Sequence, residues 1–193
     1  MDVKNIKTEE KHNADNSVKQ LALTGLMAAL ICIMGPLSIP LPFSPVPISL
    51  TNLAIYFVMY ILGTKRGCVS YLIYLLIGLV GLPVFSAFTG GPGKLLGPTG
   101  GYLIGFIFMA WITGAFIDRW HDRMSLCFAG MVLGTAVAYL FGTVWLAYQA
   151  QMPFAGALAA GVIPFIPGDL AKIIIAMIGG PQIRRRLCRA GLI

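Results

Sequence analysis

Six apolar tracts joined by short polar or glycine- and proline-rich connectors occupy nearly all of the sequence after Leu21, and no other feature restricts the fold as much. A hydrocarbon layer about 30 Å thick takes about 20 apolar residues to cross as a helix, so such tracts read as spans. Composition agrees: 58% of the 193 residues are hydrophobic and 11% charged, with a mean hydropathy of +0.83. Lipid is therefore the expected solvent. No strand alternation runs through the tracts, which argues against a barrel. The fold class is an all-α membrane protein, a bundle of six transmembrane helices.

The spans are placed at about Leu21–Met34, Leu50–Leu62, Cys68–Leu82, Gly100–Ile117 and Leu126–Tyr148, with a last one opening at Gly168. Pro164, Pro167 and Gly168 interrupt the final apolar region, so a short segment, Ala155–Ile163, is set apart from the sixth span. Residues 1–20 mix four lysines with acids and hold little that a core uses. They read as a solvated tail, followed by one membrane domain (21–182) and a basic tail (183–193). With six spans, twelve of the fourteen basic residues fall on one side: four in the N-terminal tail, Lys65 and Arg66, Arg119 and Arg123, and four arginines near the C-terminus. The excess of basic residues places both termini in the cytoplasm of a cell whose plasma membrane the chain crosses.

Several function classes drop out. The net charge of +7 sits in short clusters at span ends without interleaved aromatics, so no nucleic acid partner is expected. Cys32, Cys68, Cys127 and Cys188 form no C-x-x-C pair, and His12 and His121 lie in polar segments. No metal site, cofactor or catalytic histidine at membrane depth follows. Gly93-Lys94 resembles the end of a phosphate loop, but Phe88 stands at the first glycine position and Leu95 at the Ser/Thr position.

Removing the tails and basic loops from the list of charges leaves Lys94, Asp169 and Lys172. Ionisable groups at membrane depth cost several kcal/mol unless paired or lining a wet cavity, so they mark solute sites. Asp169 and Lys172, three residues apart, share a helix face and present an acceptor beside a cationic donor. A polar, partly anionic small molecule suits such a pair; an internal ion pair and an ion or proton path are the alternatives. Thr51 and Asn52 open an apolar helix and are ligand candidates, with helix capping the alternative role for Thr51. The proline-dense stretch from Gly35 to Ser49 reads as an extended, semi-rigid loop. The glycine-rich connector from Gly81 to Gly101 lets backbone approach a ligand, with Phe85, Phe88 and Tyr102 as apolar walls. Two small-residue stripes occur: Gly130, Gly134, Ala138 and Gly142 in the fifth span, and Gly25 with Ala29 in the first. Each reads as internal packing or as a docking face for another membrane subunit.

Four motifs in order, Ser44-Pro-Val-Pro-Ile-Ser-Leu-Thr-Asn-Leu, Gly81-Leu-Pro-Val-Phe, Leu96-Gly-Pro-Thr-Gly-Gly-Tyr-Leu-Ile-Gly-Phe and Pro167-Gly-Asp-Leu-Ala-Lys, closely resemble the BioY family, the biotin-capturing S components of energy-coupling-factor (ECF) importers. The resemblance implies a six-helix bundle with a biotin pocket toward the outside, no enzymatic activity, and as partners a membrane coupling subunit and two ATPase subunits. It also implies that Asp169 and Lys172 are the acidic and basic site residues, and that Lys94 stands where the family carries a basic residue, often arginine. Family members dock the coupling subunit through small residues on the first helix, commonly Ala-x-x-x-Ala; here the pair is Gly25 and Ala29. A ureido ring offers two N–H donors and a carbonyl, which Asp169 and Asn52 or Lys172 satisfy, while Lys94 or Lys172 meets the carboxylate. Other small vitamins such as thiamine or riboflavin, and a membrane enzyme using the Asp–Lys pair, are the competing readings.

Overall fold

The computed structural model describes residues 3–42 and 44–193, with side chains from residue 18 onward. Helix α1 (Val3–Met34) leads into a two-stranded ribbon, β1 (Ser38–Leu41) and β2 (Ser44–Ser49). Then come α2 (Thr51–Leu79), a short α3 (Pro92–Leu96), α4 (Gly100–Trp120), α5 (Met124–Gln149), α6 (Phe154–Gly161), a 3-10 turn over Ile163–Phe165, and α7 (Ile166–Arg189). Among the described residues, four helical stretches are long and apolar enough to cross a membrane: Thr51–Leu79, Gly100–Trp120, Met124–Gln149 and the run Phe154–Arg189; Val18–Met34 is a shorter apolar helix.

One of those four, α2, is two spans. Gly63 leaves the helical region with φ 73° and ψ −175°, and the chain doubles back there. Gly67 consequently lies against Met59, and Thr51 and Tyr74 line one cavity. The second arm begins beneath Asp118 of α4, whose Oδ2 accepts hydrogen bonds from the Thr64 amide at 2.8 Å and the Thr64 hydroxyl at 2.7 Å. A carboxylate at a helix N-terminus satisfies a free amide and opposes the helix dipole favourably. A Cβ at position 63 would stand 2.7 Å from Asp118 Oδ1. Gly63→Ala therefore meets both a disfavoured φ and a steric block, and is expected to lower the unfolding free energy by about 1 to 3 kcal/mol. A thermal melt of the detergent-solubilised protein measures this.

The two small-residue stripes separate. Gly130, Gly134, Ala138 and Gly142 are all buried, meeting Phe116, Thr113 with Met109, Gly105 and Tyr102 respectively. In lipid, where apolar burial drives little association, such close approach gives α4 and α5 their dispersion contacts. On α1, Thr24, Met27, Ala28 and Ile31 face the core while Gly25 and Ala29 are exposed, with no atom within 4 Å of a Cβ built on Gly25. The fifth-span stripe is internal packing and the first-span pair faces outward.

Three segments differ from the sequence-based expectation. The proline-dense connector is a hairpin, with Ser38 opposite Ser49, Ile39 opposite Ile48 and an irregularity between Ile39 and Leu41, where Pro40 sits. Pro45 and Pro47 alternate, so both missing N–H groups fall on one edge of the strand, and a two-stranded ribbon has a free edge. The polar segment read as a tail is helical from Val3 and continuous with the first span. The basic stretch after residue 182 likewise continues α7 through Pro181 to Arg189. The segment Ala155–Ile163 matches α6 with the turn that follows, and α7 opens two residues before Gly168.

Candidate ligand-binding site

The chemistry is concentrated at the end of the bundle where α2 and α7 begin. Pro167 falls in the first turn of α7, where its missing N–H costs nothing, and Asp169 follows in the same turn. Asp169 and Lys172 are each 7% exposed, and Lys172 Nζ lies 2.8 Å from Asp169 Oδ1. Neither charge is left to the hydrocarbon: Nζ also donates to the Ser49 carbonyl at 2.7 Å, and the Tyr139 hydroxyl donates to Asp169 Oδ2 at 2.6 Å. An ammonium has three donors and each carboxylate oxygen accepts more than one bond, so the pair retains capacity for a guest.

That capacity opens on a cavity. Its polar side is made by Thr51, Asn52, Thr135, Tyr139, Asp169 and Lys172, and its apolar side by Val46 and Pro47 of the ribbon with Tyr102, Leu103, Phe106 and Phe165. Tyr74 and Thr99 also line it, and their buried hydroxyls have no hydrogen-bond partner among the described residues. Buried polar atoms are nearly always satisfied, so two orphan hydroxyls on one cavity wall point to a ligand or water that satisfies them. Tyr102 is fixed by a hydrogen bond from its hydroxyl to the Gly161 carbonyl at 2.7 Å. The glycines at 142 and 161 leave the room it fills, since a Cβ at either would come within 2.2 Å of its ring or hydroxyl.

Five of the residues singled out in the sequence, Asp169, Lys172, Asn52, Thr51 and Tyr102, are thus brought together. Thr51 does not cap its helix: Leu50 holds the N-cap position without a side-chain bond, and the Thr51 hydroxyl accepts from Ser49 Oγ at 3.1 Å. Phe85 is not a wall. It is fully buried in the notch at Gly78, edge-on to Tyr74 with centroids 5.5 Å apart, so it braces a lining residue from behind. Phe88 is exposed. Lys94 lies on α3, half-buried and off the cavity lining, and the loss of water around it lowers its pKa from the usual lysine value. Tyr139, Thr135 and Phe165 gave no signal in the sequence: each is one more residue in an apolar tract, and only the tertiary fold brings the three to one cavity.

The architecture and this cavity can be set beside known proteins. Residues 7–189 match the BioY family. The chain belongs to the BioY family. Among the family's curated members it is 38% identical over 173 residues to the biotin transporter BioY of Rhizobium etli, covering 85% of this chain and 92% of the relative. To the biotin transporter BioY of Lactococcus lactis subsp. cremoris it is 34% identical over 183 residues, covering 92% and 94%. The BioY of Thermotoga maritima is 36% identical over 159 residues, covering 82% and 92%. Among solved structures, the crystal structure of the S-component for biotin from an ECF-type ABC transporter matches with a TM-score of 0.82 at 33% identity, covering 89% of this chain and 93% of that one. As a BioY member with this set of apolar helices, the chain is a multi-pass plasma-membrane protein.

Proposed function

We propose that this chain is the substrate-capture subunit of an ECF-type importer and that its ligand is biotin. The observation that carries the reading is the Asp169–Lys172 pair, desolvated yet placed on the wall of a mainly apolar cavity in a chain whose relatives are named biotin transporters. A ureido ring presents N–H and C=O side by side; a carboxylate and an ammonium 2.8 Å apart are its complement. Asn52 offers a further donor and acceptor, and Tyr102, Phe106 and Phe165 suit the thioether ring and aliphatic arm. Because the pair acts as one acceptor–donor unit, it serves one end of the ligand, and the biotin carboxylate lies at the other, away from Asp169.

The test is calorimetric titration of the purified protein with biotin in the absence of nucleotide, with thiamine and riboflavin as competitors. Saturable binding that only biotin competes for is expected. Displacement by thiamine or riboflavin instead would reassign the ligand, and turnover of a labelled compound would revive an enzyme.

In this reading the partners are a membrane coupling subunit and two ATPase subunits, and the termini are cytoplasmic, as the one-sided basic residues favour. The outward small-residue pair on α1 supports docking there, because a helix can approach Gly25 and Ala29 closely. Gly25→Leu is expected to abolish co-purification of the coupling subunit while leaving biotin affinity within about two-fold, since no residue of α1 lines the cavity and Gly25 faces outward. Pull-down and titration on the same preparation read both.

A further inference from the structure

The opposite end of the bundle holds a second cavity, for which solute capture has no use. Helices α1 and α7 each pack on α2 and hardly on one another, which leaves a cleft between them. Its rim carries Lys19 of α1, Lys65 and Arg66 just past the Gly63 reversal, and Arg184 of α7, against one acidic side chain, Asp118; Gly191, Leu192 and Ile193 line it as well. Leu23, Ile61 and Leu62 form its apolar floor.

Among the described residues, the four basic side chains outnumber the acidic ones around this opening. Asp118 is engaged by the Thr64 amide and hydroxyl. Arg66 donates to the Gln20 side-chain oxygen at 2.5 Å and Arg184 to the Tyr60 carbonyl at 3.0 Å, both uncharged acceptors. Lys19 and Lys65 make no hydrogen bond or ion pair among the described residues. Like charges gathered around one opening repel unless an anion sits among them. Here the opening lies where the spans meet the membrane surface, and its floor is apolar. An occupant with a phosphate head and hydrocarbon below it meets both conditions, whereas a free anion uses only the rim.

We propose that this cleft binds the head group of an anionic diacyl phospholipid, its phosphodiester among Lys19, Lys65 and the two arginines and its acyl chains on the lipid-facing side of α1, beyond Leu23 toward the exposed Leu26. Basic pockets between membrane helices commonly hold such head groups. The inference rests on the membrane setting and is independent of which solute fills the first cavity.

Native mass spectrometry of the whole protein, released from nanodiscs of equal phosphatidylglycerol and phosphatidylethanolamine, tests it. The wild type is expected to retain phosphatidylglycerol selectively. The Lys19→Gln/Lys65→Gln variant, which spares the two arginines that bond to the fold, is expected to lose about thirty-fold of that preference with biotin binding unchanged. Equal retention of both lipids, or the same preference in the variant, would overturn the proposal. So would displacement of the lipid by inorganic phosphate or by deacylated head group at matched concentration, which would make this a site for a soluble anion. A photo-crosslinker at position 65 that captures the coupling subunit and no lipid in the assembled importer would give the cleft to a protein partner. Loss of biotin binding with lipid selectivity intact would count against the first cavity's ligand alone.

Discussion

Lys172→Ala is expected to weaken biotin binding by about thirty-fold to several thousand-fold. Truncating one member of a buried, hydrogen-bonded charge pair costs about 2 to 5 kcal/mol, much of it because the partner is stranded. Here the stranded group is Asp169, which would keep only the Tyr139 hydroxyl as a donor. The same substitution removes the bond to the Ser49 carbonyl, so a buried acceptor at the end of β2 is orphaned too. Calorimetry gives the affinity, and unchanged affinity would remove Lys172 from the site.

Asp169→Asn is expected to produce a loss of similar size by a different route. The amide is nearly isosteric, so the cavity keeps its shape, but Lys172 loses its counter-charge and the ligand loses an anionic acceptor. A second variant separates ligand contact from structural support. Replacing both members of a buried pair by apolar residues of similar volume leaves no charge stranded, so Asp169→Leu/Lys172→Met should melt above either single variant and still fail to bind biotin. If the pair were only an internal brace, the double variant would bind normally.

The spans were legible because hydrocarbon admits so few ways of satisfying a backbone. Even the reversal of α2 is announced by Gly63 just before Lys65 and Arg66, where a turn at the membrane surface needs a glycine and charges to hold it there. The Asp169–Lys172 pair was legible for the same reason, since two charges in an apolar tract have few bland explanations. What the sequence concealed depends on partners far along the chain. Proline density in the ribbon hides a hairpin whose pairing appears only when Ser38 is known to face Ser49. Tyr139 looks like any tyrosine until α7 brings a carboxylate to its hydroxyl. Phe85 misleads because a loop aromatic next to glycines suits a ligand wall and a glycine notch equally, and Gly78 supplied the notch.

The bond from Lys172 to the Ser49 carbonyl joins two parts of the molecule that are 123 positions apart in sequence. It fastens the end of the ribbon to a wall of the cavity. In the proposed binding mode the third N–H of this ammonium goes to the guest, while its other two hold the nitrogen in place. The posture of the strand above the chamber and the aim of that free donor are therefore set together by one nitrogen atom.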